Sequence, residues 1–300
     1  MTSIKQETIA ASVETDLSSL VQPSTSAEVE IQFPHLTQLM LAWQDFKEGI
    51  QKWPIWLMLA YGDIKLRYRR SILGPFWLTL SMGITVYAMG FLYAHLFHIN
   101  LQQYYPLLVA GMLTWELISI ALTELTDTFM LSNNLIKQIK LPYTLYVHRV
   151  ITRNVLIFFH NILVMIPIYL LFPQGAKLNL HSFLLIPSLA LVYLNATIYG
   201  LILAILGARY RDISQIVKSL IRVIFFVTPI MWTPLTLPSR DRFLVDLNPF
   251  YSFVELIRAP LLGVSPTSFN LMMVLIVTLL GSIIAIKMFT RYRARIIYWL

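Results

Sequence analysis

Lys65, Arg67, Arg69 and Arg70 fall in one stretch, Lys65-Leu-Arg-Tyr-Arg-Arg-Ser-Ile-Leu-Gly-Pro-Phe-Trp77, directly ahead of a long apolar run that begins near Phe76. Cations at such a junction do electrostatic chemistry. Each attracts anionic headgroups by about 1 kcal/mol, and together they hold the start of a spanning helix on the cytoplasmic side. On its own the cluster is a topology signal; the parts that surround it in the chain suggest more.

Ionisable groups inside apolar runs are the second kind of chemical residue here, because burying them is expensive. Glu116 lies 11 residues from Asp127 in one run, and His160 lies 12 residues from His148 in the next. At about 1.5 Å per helical residue the two sit at nearly equal depth. Two readings stand side by side: Glu116 pairs with His160 in mid-membrane, or it is protonated and faces a cavity. Nearer the inner surface, Glu124 and Asp127 are placed to neutralise Arg149 and Arg153. Tyr87, Trp115, Tyr193 and Tyr199 also lie well inside apolar runs, where a hydroxyl or indole N–H needs a partner. Their faces suit sugar C–H surfaces and their polar edges suit sugar hydroxyls, and the same rings serve ordinary helix packing.

Enzymatic chemistry is not signalled. There is no Gly-x-x-x-x-Gly-Lys-Ser/Thr loop for nucleotide, no His-Glu-x-x-His, no Gly-x-Ser-x-Gly and no Asp-x-Asp to hold a metal-bound sugar nucleotide. His95 and His98 stand one turn apart with no carboxylate or third His near them in sequence, which reads as an interfacial polar pair rather than a metal site. The absence of Cys excludes disulfides, thiol catalysis and Cys-ligated zinc. The net charge of +8 comes from Lys and Arg beside apolar runs, with no independent basic domain, so no nucleic-acid partner is expected.

These residues need a membrane frame to position them. With 57% hydrophobic and 13% charged residues and a mean hydropathy of +0.67, the chain carries more apolar surface than a soluble fold of its length buries. The expectation is an all-α integral membrane protein with six transmembrane helices, at about 76–98, 105–126, 146–171, 183–207, 219–236 and 270–289, since a span needs about 20 apolar residues. Apart from Lys5, every Lys and Arg other than Lys177, Arg240, Arg242 and Arg258 then falls on or beside one face. That bias puts both termini in the cytoplasm.

Residues 1–33 are polar, Ser/Thr-rich and acidic, and read as a disordered cytoplasmic tail with no cleavable signal. Leu36, Leu39, Met40, Trp43, Phe46 and Ile50 then recur at helical spacing opposite Gln38, Gln44, Asp45, Lys47, Glu48 and Lys52, which predicts an amphipathic helix on the inner surface. Pro54 breaks it, and Ile55–Leu66 forms a second helix leading to the basic cluster. Between spans two and three, Ser132–Pro142 is too polar to cross and predicts two to three helical turns. Ala208–Ile213 joins spans four and five. The two cytoplasmic loops are either plain connectors or a docking surface for a soluble partner. Between Thr236 and Asn270, the stretch Asn248–Gly263 sets Phe253, Leu256, Ile257, Pro260 and Leu261 against Glu255 and Arg258, which predicts a re-entrant helical hairpin lining the outer mouth of a pathway.

The order of parts resembles a known family. The inner-surface helix, the motif Gly62-Asp-Ile-Lys-Leu-Arg-Tyr-Arg-Arg-Ser-Ile-Leu-Gly-Pro-Phe-Trp77, six spans, Asn134-Leu-Ile-Lys-Gln-Ile-Lys-Leu-Pro142, and Asn248-Pro-Phe through Arg258-Ala-Pro-Leu-Leu-Gly263 together resemble the permease subunit of bacterial ABC exporters for O-antigen, capsular polysaccharide and teichoic acid. The first motif is the most specific, and the match covers about residues 36–300. The resemblance implies a permease domain over 34–300, with interfacial and entrance helices at 36–72, working as a homodimer in the bacterial inner membrane. ATP and Mg would be bound by a separate ABC ATPase subunit, with no cofactor in this chain. Carried over by motif, Arg67, Tyr68, Arg69 and Arg70 would form the lipid-pyrophosphate entrance, where guanidinium forks suit phosphate oxygens. Asn134, Leu135, Lys137, Lys140, Leu141 and Pro142 would couple to the ATPase. Tyr87, Trp115, Glu116, Tyr193 and Tyr199 would line the translocation path, and Asn248, Pro249, Glu255 and Arg258 the periplasmic gate. The expected partners are a lipid-linked polysaccharide and membrane lipids. Two other readings stay open: a permease of the same architecture for small lipids or drugs, and a membrane-embedded transferase on a lipid-linked sugar, which would need a clustered acid/base or metal site.

Overall fold

The computed structural model describes residues 35–300 apart from 72, 75, 97 and 235–237; the tail read at residues 1–33 lies outside the described residues. Pro54 sits in the first turn of the second helix and Lys52 closes the first, so the chain opens with α1 (His35–Gln51) and α2 (Trp53–Arg67). Proline is tolerated there because a first-turn N–H has no intrahelical acceptor. Among the described residues, five helices are long and apolar enough to cross a membrane: α3 (Phe76–Leu96), α4 (Leu101–Thr126), the stretch Tyr143–Leu171, the stretch Leu180–Arg209 and the stretch Ser268–Trp299.

The third of these is α6 (Tyr143–Asn161), a 3₁₀ turn at Ile162–Val164 and α7 (Met165–Leu171). Ahead of it lies the short α5 (Asn133–Gln138). The fourth contains α8 (Leu185–Arg209), followed by α9 (Asp212–Val227). The short α10 (Pro249–Leu262) precedes α11 (Ser268–Tyr292), and α12 (Ile296–Trp299) follows it. The element expected at 219–236 differs most. Its helix starts earlier and ends at Val227, because Pro229 has no N–H and holds Thr228 extended (ψ 131°). The two to three turns expected over Ser132–Pro142 shrink to α5, because the chain leaves the helix at Ile139 (φ −131°, ψ 127°), three residues ahead of Pro142.

Residues 38–300 form one unit, and α4 is its centre. In the apolar window of α4, 61% of residues are buried, against 22% for α3 and for the last span, so α4 packs all round while the other two show a face outward. One apolar core gathers Leu108, Val109, Phe158, Met165, Ile168, Ile257 and Leu261. A second, toward the other end of the bundle, gathers Leu125, Phe129, Tyr146, Val147, Ile151, Ile205, Phe289 and Ile296. Polar contacts tie spans together, as where the Asn195 amide donates to Thr278 Oγ1 at 2.8 Å. Helices in lipid rely on packing and such bonds because lipid is as apolar as their side chains.

Candidate functional site

At the end of α2 the basic cluster divides. Arg67 donates to Glu124 at 3.1 Å. Glu124 also accepts from Arg153 at 2.8 Å and from the Asn154 amide at 2.7 Å. Arg153 reaches on to Asp63 at 3.0 Å, and Arg149 holds the same carboxylate through two nitrogens at 2.6 and 2.9 Å. Three guanidiniums and two carboxylates thus join α2, α4 and α6. Arg69 and Arg70 are exposed, and among the described residues neither side chain has an ion-pair partner. Arg70 takes a left-handed backbone (φ 74°), which turns the chain out of α2. Tyr68 is half-buried, and that burial pushes its phenol above the usual range, against the opposing pull of the Arg67 guanidinium.

The expected pairings are therefore corrected in part. Glu124 does neutralise Arg153, but Arg149 takes Asp63, and Asp127 takes Ser214 (2.9 Å) and Lys218 (3.6 Å). Asp63 was missed although it stands inside the quoted motif. Its signal was a lone carboxylate on an otherwise apolar helix, one turn ahead of the basic run.

In the segment expected to couple to an ATPase, Asn134, Lys137 and Lys140 are exposed, while Leu135 and Leu141 pack on the second core and Pro142 is buried. The segment presents an amide and two cations on an apolar footing.

The mid-membrane residues fall into separate places. Trp115 and Glu116 line a cavity of about 290 Å³ with Ser81, Thr85 and Ser119. Glu116 accepts from the Asn161 amide at 3.3 Å, while His160 bonds the Leu156 carbonyl at 2.7 Å. Of the two readings, the Glu116–His160 pair does not form and Glu116 lies on a cavity; equal depth fixes height along a helix and not azimuth, and adjacent residues differ by about 100°. Tyr193 and Tyr199 line a second, apolar cavity of about 230 Å³ with Phe250 and Phe253 of α10. Tyr193 Oη lies 3.0 Å from His148 Nδ1 and 3.1 Å from Thr152 Oγ1, and Tyr199 donates to the Val277 carbonyl at 2.9 Å. Tyr87 lines neither cavity; its hydroxyl donates to the Val164 carbonyl at 2.9 Å. Trp115 links the two regions, its ring 6.2 Å from Phe250. His95 Nδ1 lies 2.8 Å from the Phe91 carbonyl, and among the described residues no group of three His, Asp or Glu is placed to hold a metal.

α10 is anchored at both ends. Asn248 caps it, accepting from Phe250 N at 2.9 Å while its amide donates to Thr228 Oγ1 at 3.0 Å, and Pro249 occupies the first turn. Gly263 closes it at φ 80°, a left-handed position where a side chain would be strained and would meet the Lys177 carbonyl. Arg258 pairs with Glu255 and donates to the Pro229 carbonyl at 2.7 Å. Its side chain is 1% exposed, so it faces the protein interior rather than an open mouth.

A bundle of long apolar helices, with an exposed loop helix, one cavity edged by polar side chains and one apolar cavity, defines the frame of a multi-pass membrane protein. Residues 55–262 match the ABC-2 type transporter family, and the chain belongs to it. It is accordingly a transport component and not an enzyme. Among curated relatives, the O-antigen export system permease protein RfbA of Klebsiella pneumoniae is 23% identical over 201 residues, covering 66% of this chain and 76% of that protein. The protein of the same name in Myxococcus xanthus is 22% identical over 200 residues, again 66% of this chain and 76% of its own.

Proposed function

We propose that this chain is the transmembrane subunit of an ATP-driven exporter that moves a polyprenyl-linked polysaccharide, of O-antigen or capsule type, across the bacterial inner membrane. The observation that carries the reading is the family match over 55–262 together with relatives that are O-antigen export permeases over two thirds of this chain. The chain works as a homodimer with an ABC ATPase that supplies nucleotide and Mg. Six crossings place both termini in the cytoplasm. The fifth in chain order is made by α9, whose 16 residues rise about 24 Å, and by the bends at Thr228–Trp232 that follow it. α1 lies in the inner interface with Leu39, Met40, Trp43 and Ile50 exposed toward lipid. α10 forms the re-entrant hairpin.

Arg69 and Arg70, exposed beside the ion network, receive the lipid pyrophosphate with Arg67 and Tyr68. Asn134–Pro142 seats in the ATPase. Trp115 and Glu116 line the path from one cavity, Tyr193 and Tyr199 from the other, and Tyr87 braces the first span against them. Asn248, Pro249, Glu255 and Arg258 hold the periplasmic gate. Nucleotide-driven closure of the ATPases shifts the packed helices between two states.

The experiment is to fractionate cells lacking this protein. Glycan accumulating on its carrier at the inner membrane and missing from the surface supports export. Its loss from both fractions overturns it in favour of synthesis, and a normal surface glycan overturns it in favour of another cargo.

A further inference from the structure

Asp45 sits on the polar side of α1, where Gln44 and Lys47 are exposed, yet its own side chain is 1% exposed. Its carboxylate is spent on another helix. Pro142, the residue ahead of α6, offers no side-chain acceptor, so the first N–H groups of α6 need one from elsewhere. Asp45 supplies it: Tyr143 N donates to Oδ2 at 3.1 Å and Thr144 N to Oδ1 at 3.1 Å. Thr144 Oγ1 donates to the same Oδ1 at 3.0 Å and lies 2.9 Å from the Asp45 carbonyl. One turn on, α1 presses so close that a Cβ at Gly49 would overlap Thr144 Oγ1. A third segment joins. Arg293, just past α11, donates from Nε to Asp45 Oδ2 at 3.2 Å and lies over the Tyr143 ring at 5.9 Å.

The other end of the 133–142 segment is tied in the same direction, the Asn133 amide donating to the Leu300 carbonyl at 3.0 Å. The start of α5 is thus bonded to the end of the chain's last segment, and the start of α6, directly past the loop, is bonded to α1 and Arg293. A push on the 133–142 segment reaches the 293–300 segment through Asn133 and reaches α1 through the start of α6, by short, directional bonds that are charge-assisted at Asp45.

We propose that Asp45 is a positioning residue that makes α1 and the end of α11 move with the 133–142 segment, so that work done there is converted into movement of the spans. This rests on the reading above that Asn134–Pro142 receives the ATPase. Removing the carboxylate leaves ATP hydrolysis running while transport slips.

The test uses the full permease–ATPase complex, purified for ATP hydrolysis, with surface glycan measured in the cells that express it. Asp45→Ala is expected to keep hydrolysis within about twofold of wild type and lower surface glycan about tenfold, inside the 5- to 150-fold range of ordinary coupling between sites. Because this chain contains no Cys, Lys47→Cys is its sole labelling site, and a spin label attached there before the ATPase is added reports α1 alone. Its spectrum is expected to change when a non-hydrolysable ATP analogue binds, and to stop changing in the Asp45→Ala background. Hydrolysis and export falling in proportion, or an unchanged ratio with the label still responding, would overturn the proposal. Arg293→Gln leaves the two caps in place and removes the cation, so it assembles even if Asp45→Ala does not. A smaller drop in glycan moved per ATP is expected from it, and a wild-type ratio would count against the hub. A Lys137→Glu, Lys140→Glu variant separates the underlying reading: an ATPase that still co-purifies with it at full yield shows that the docking assignment fails, whatever Asp45 does.

Discussion

At one end of the bundle the short helices are held by charge: Asp45 on α6 and Arg293, Asp63 on Arg149 and Arg153, Glu124 on Arg67 and Arg153. At the other, α10 is held mainly through backbone carbonyls. Arg258 donates to Pro229, Tyr169 donates to Leu261 at 2.7 Å, and the Asn179 amide donates to Gly263 at 2.7 Å. The difference is one of exchangeability. A carboxylate shared among several guanidiniums keeps a partner when one leaves, whereas a carbonyl served by one side chain does not. Loss of one side chain should therefore cost less at the charged end than at the carbonyl end.

The largest effect is expected where a charge is held without redundancy. Arg258→Ala leaves the Glu255 carboxylate without its cation and the Pro229 carbonyl without its donor. Breaking a buried pair costs about 3–5 kcal/mol, and because the Glu255 side chain is 18% exposed the lower part of that range applies. A large fall in the midpoint of thermal unfolding in detergent checks it. A variant as stable as wild type would erase the contrast between the two ends.

Arg153→Ala at the charged end removes two hydrogen bonds against the three of Arg258, from as many partners, and is expected to do less. Asp63 keeps Arg149 at 2.6 Å, and Glu124 keeps Arg67 at 3.1 Å and Asn154 at 2.7 Å. A loss of about 1.5–3 kcal/mol, the scale of a charged hydrogen bond, is the expectation from unfolding in the same detergent. A double-mutant cycle with Asp63→Asn sharpens the point: the network predicts strong non-additivity, and additive losses would mean the pairs act alone.

Tyr169→Phe probes the carbonyl end by a single bond. It keeps the ring and leaves the Leu261 carbonyl unserved, for a loss of about 1 kcal/mol on the same unfolding measurement. A neutral result would show that α10 is held by packing rather than by its donors.

How far these ends were legible depends on whether a residue's partner is local. The membrane class, the break at Pro54 and the short helix within Asn248–Gly263 were readable, because apolar runs, prolines and helical periodicity act on their own neighbours in sequence. Long spans were readable as well, but the stretch at 219–236 was not placed correctly, since its hydropathy extends past the point where Pro229 ends the helix. Depth matching put Glu116 level with His160, yet the bond goes to Asn161 because azimuth depends on how α4 and α6 pack. Asp45 was assigned to a solvated face by a helical pattern that has no term for a helix end 98 residues away. The bond of Arg258 to Pro229 was hidden for the same reason: its acceptor is a backbone carbonyl that no side-chain pattern displays.

The smallest effect is expected at the edge of the charged end, and it decides whether that end exchanges partners. Arg67 is 45% exposed while its partner Glu124 is 22% exposed, so the pair sits half in solvent. Exposed pairs contribute about 0.2–1 kcal/mol and are screened by salt, with the Debye length falling from about 8 Å at physiological ionic strength to about 3 Å at 1 M. Arg67→Ala is therefore expected to shift unfolding by no more than about 0.5 kcal/mol at low salt and by nothing measurable at 1 M. Arg153→Ala, at 14% exposure, should keep most of its effect across the same salt range. If Arg67 is free to leave Glu124 at this small penalty, a phosphate competing for its guanidinium needs only a modest advantage to take it. An Arg67→Ala loss as large as that of Arg153→Ala, and insensitive to salt, would make Arg67 a fixed part of the scaffold and end its place in a phosphate-receiving entrance.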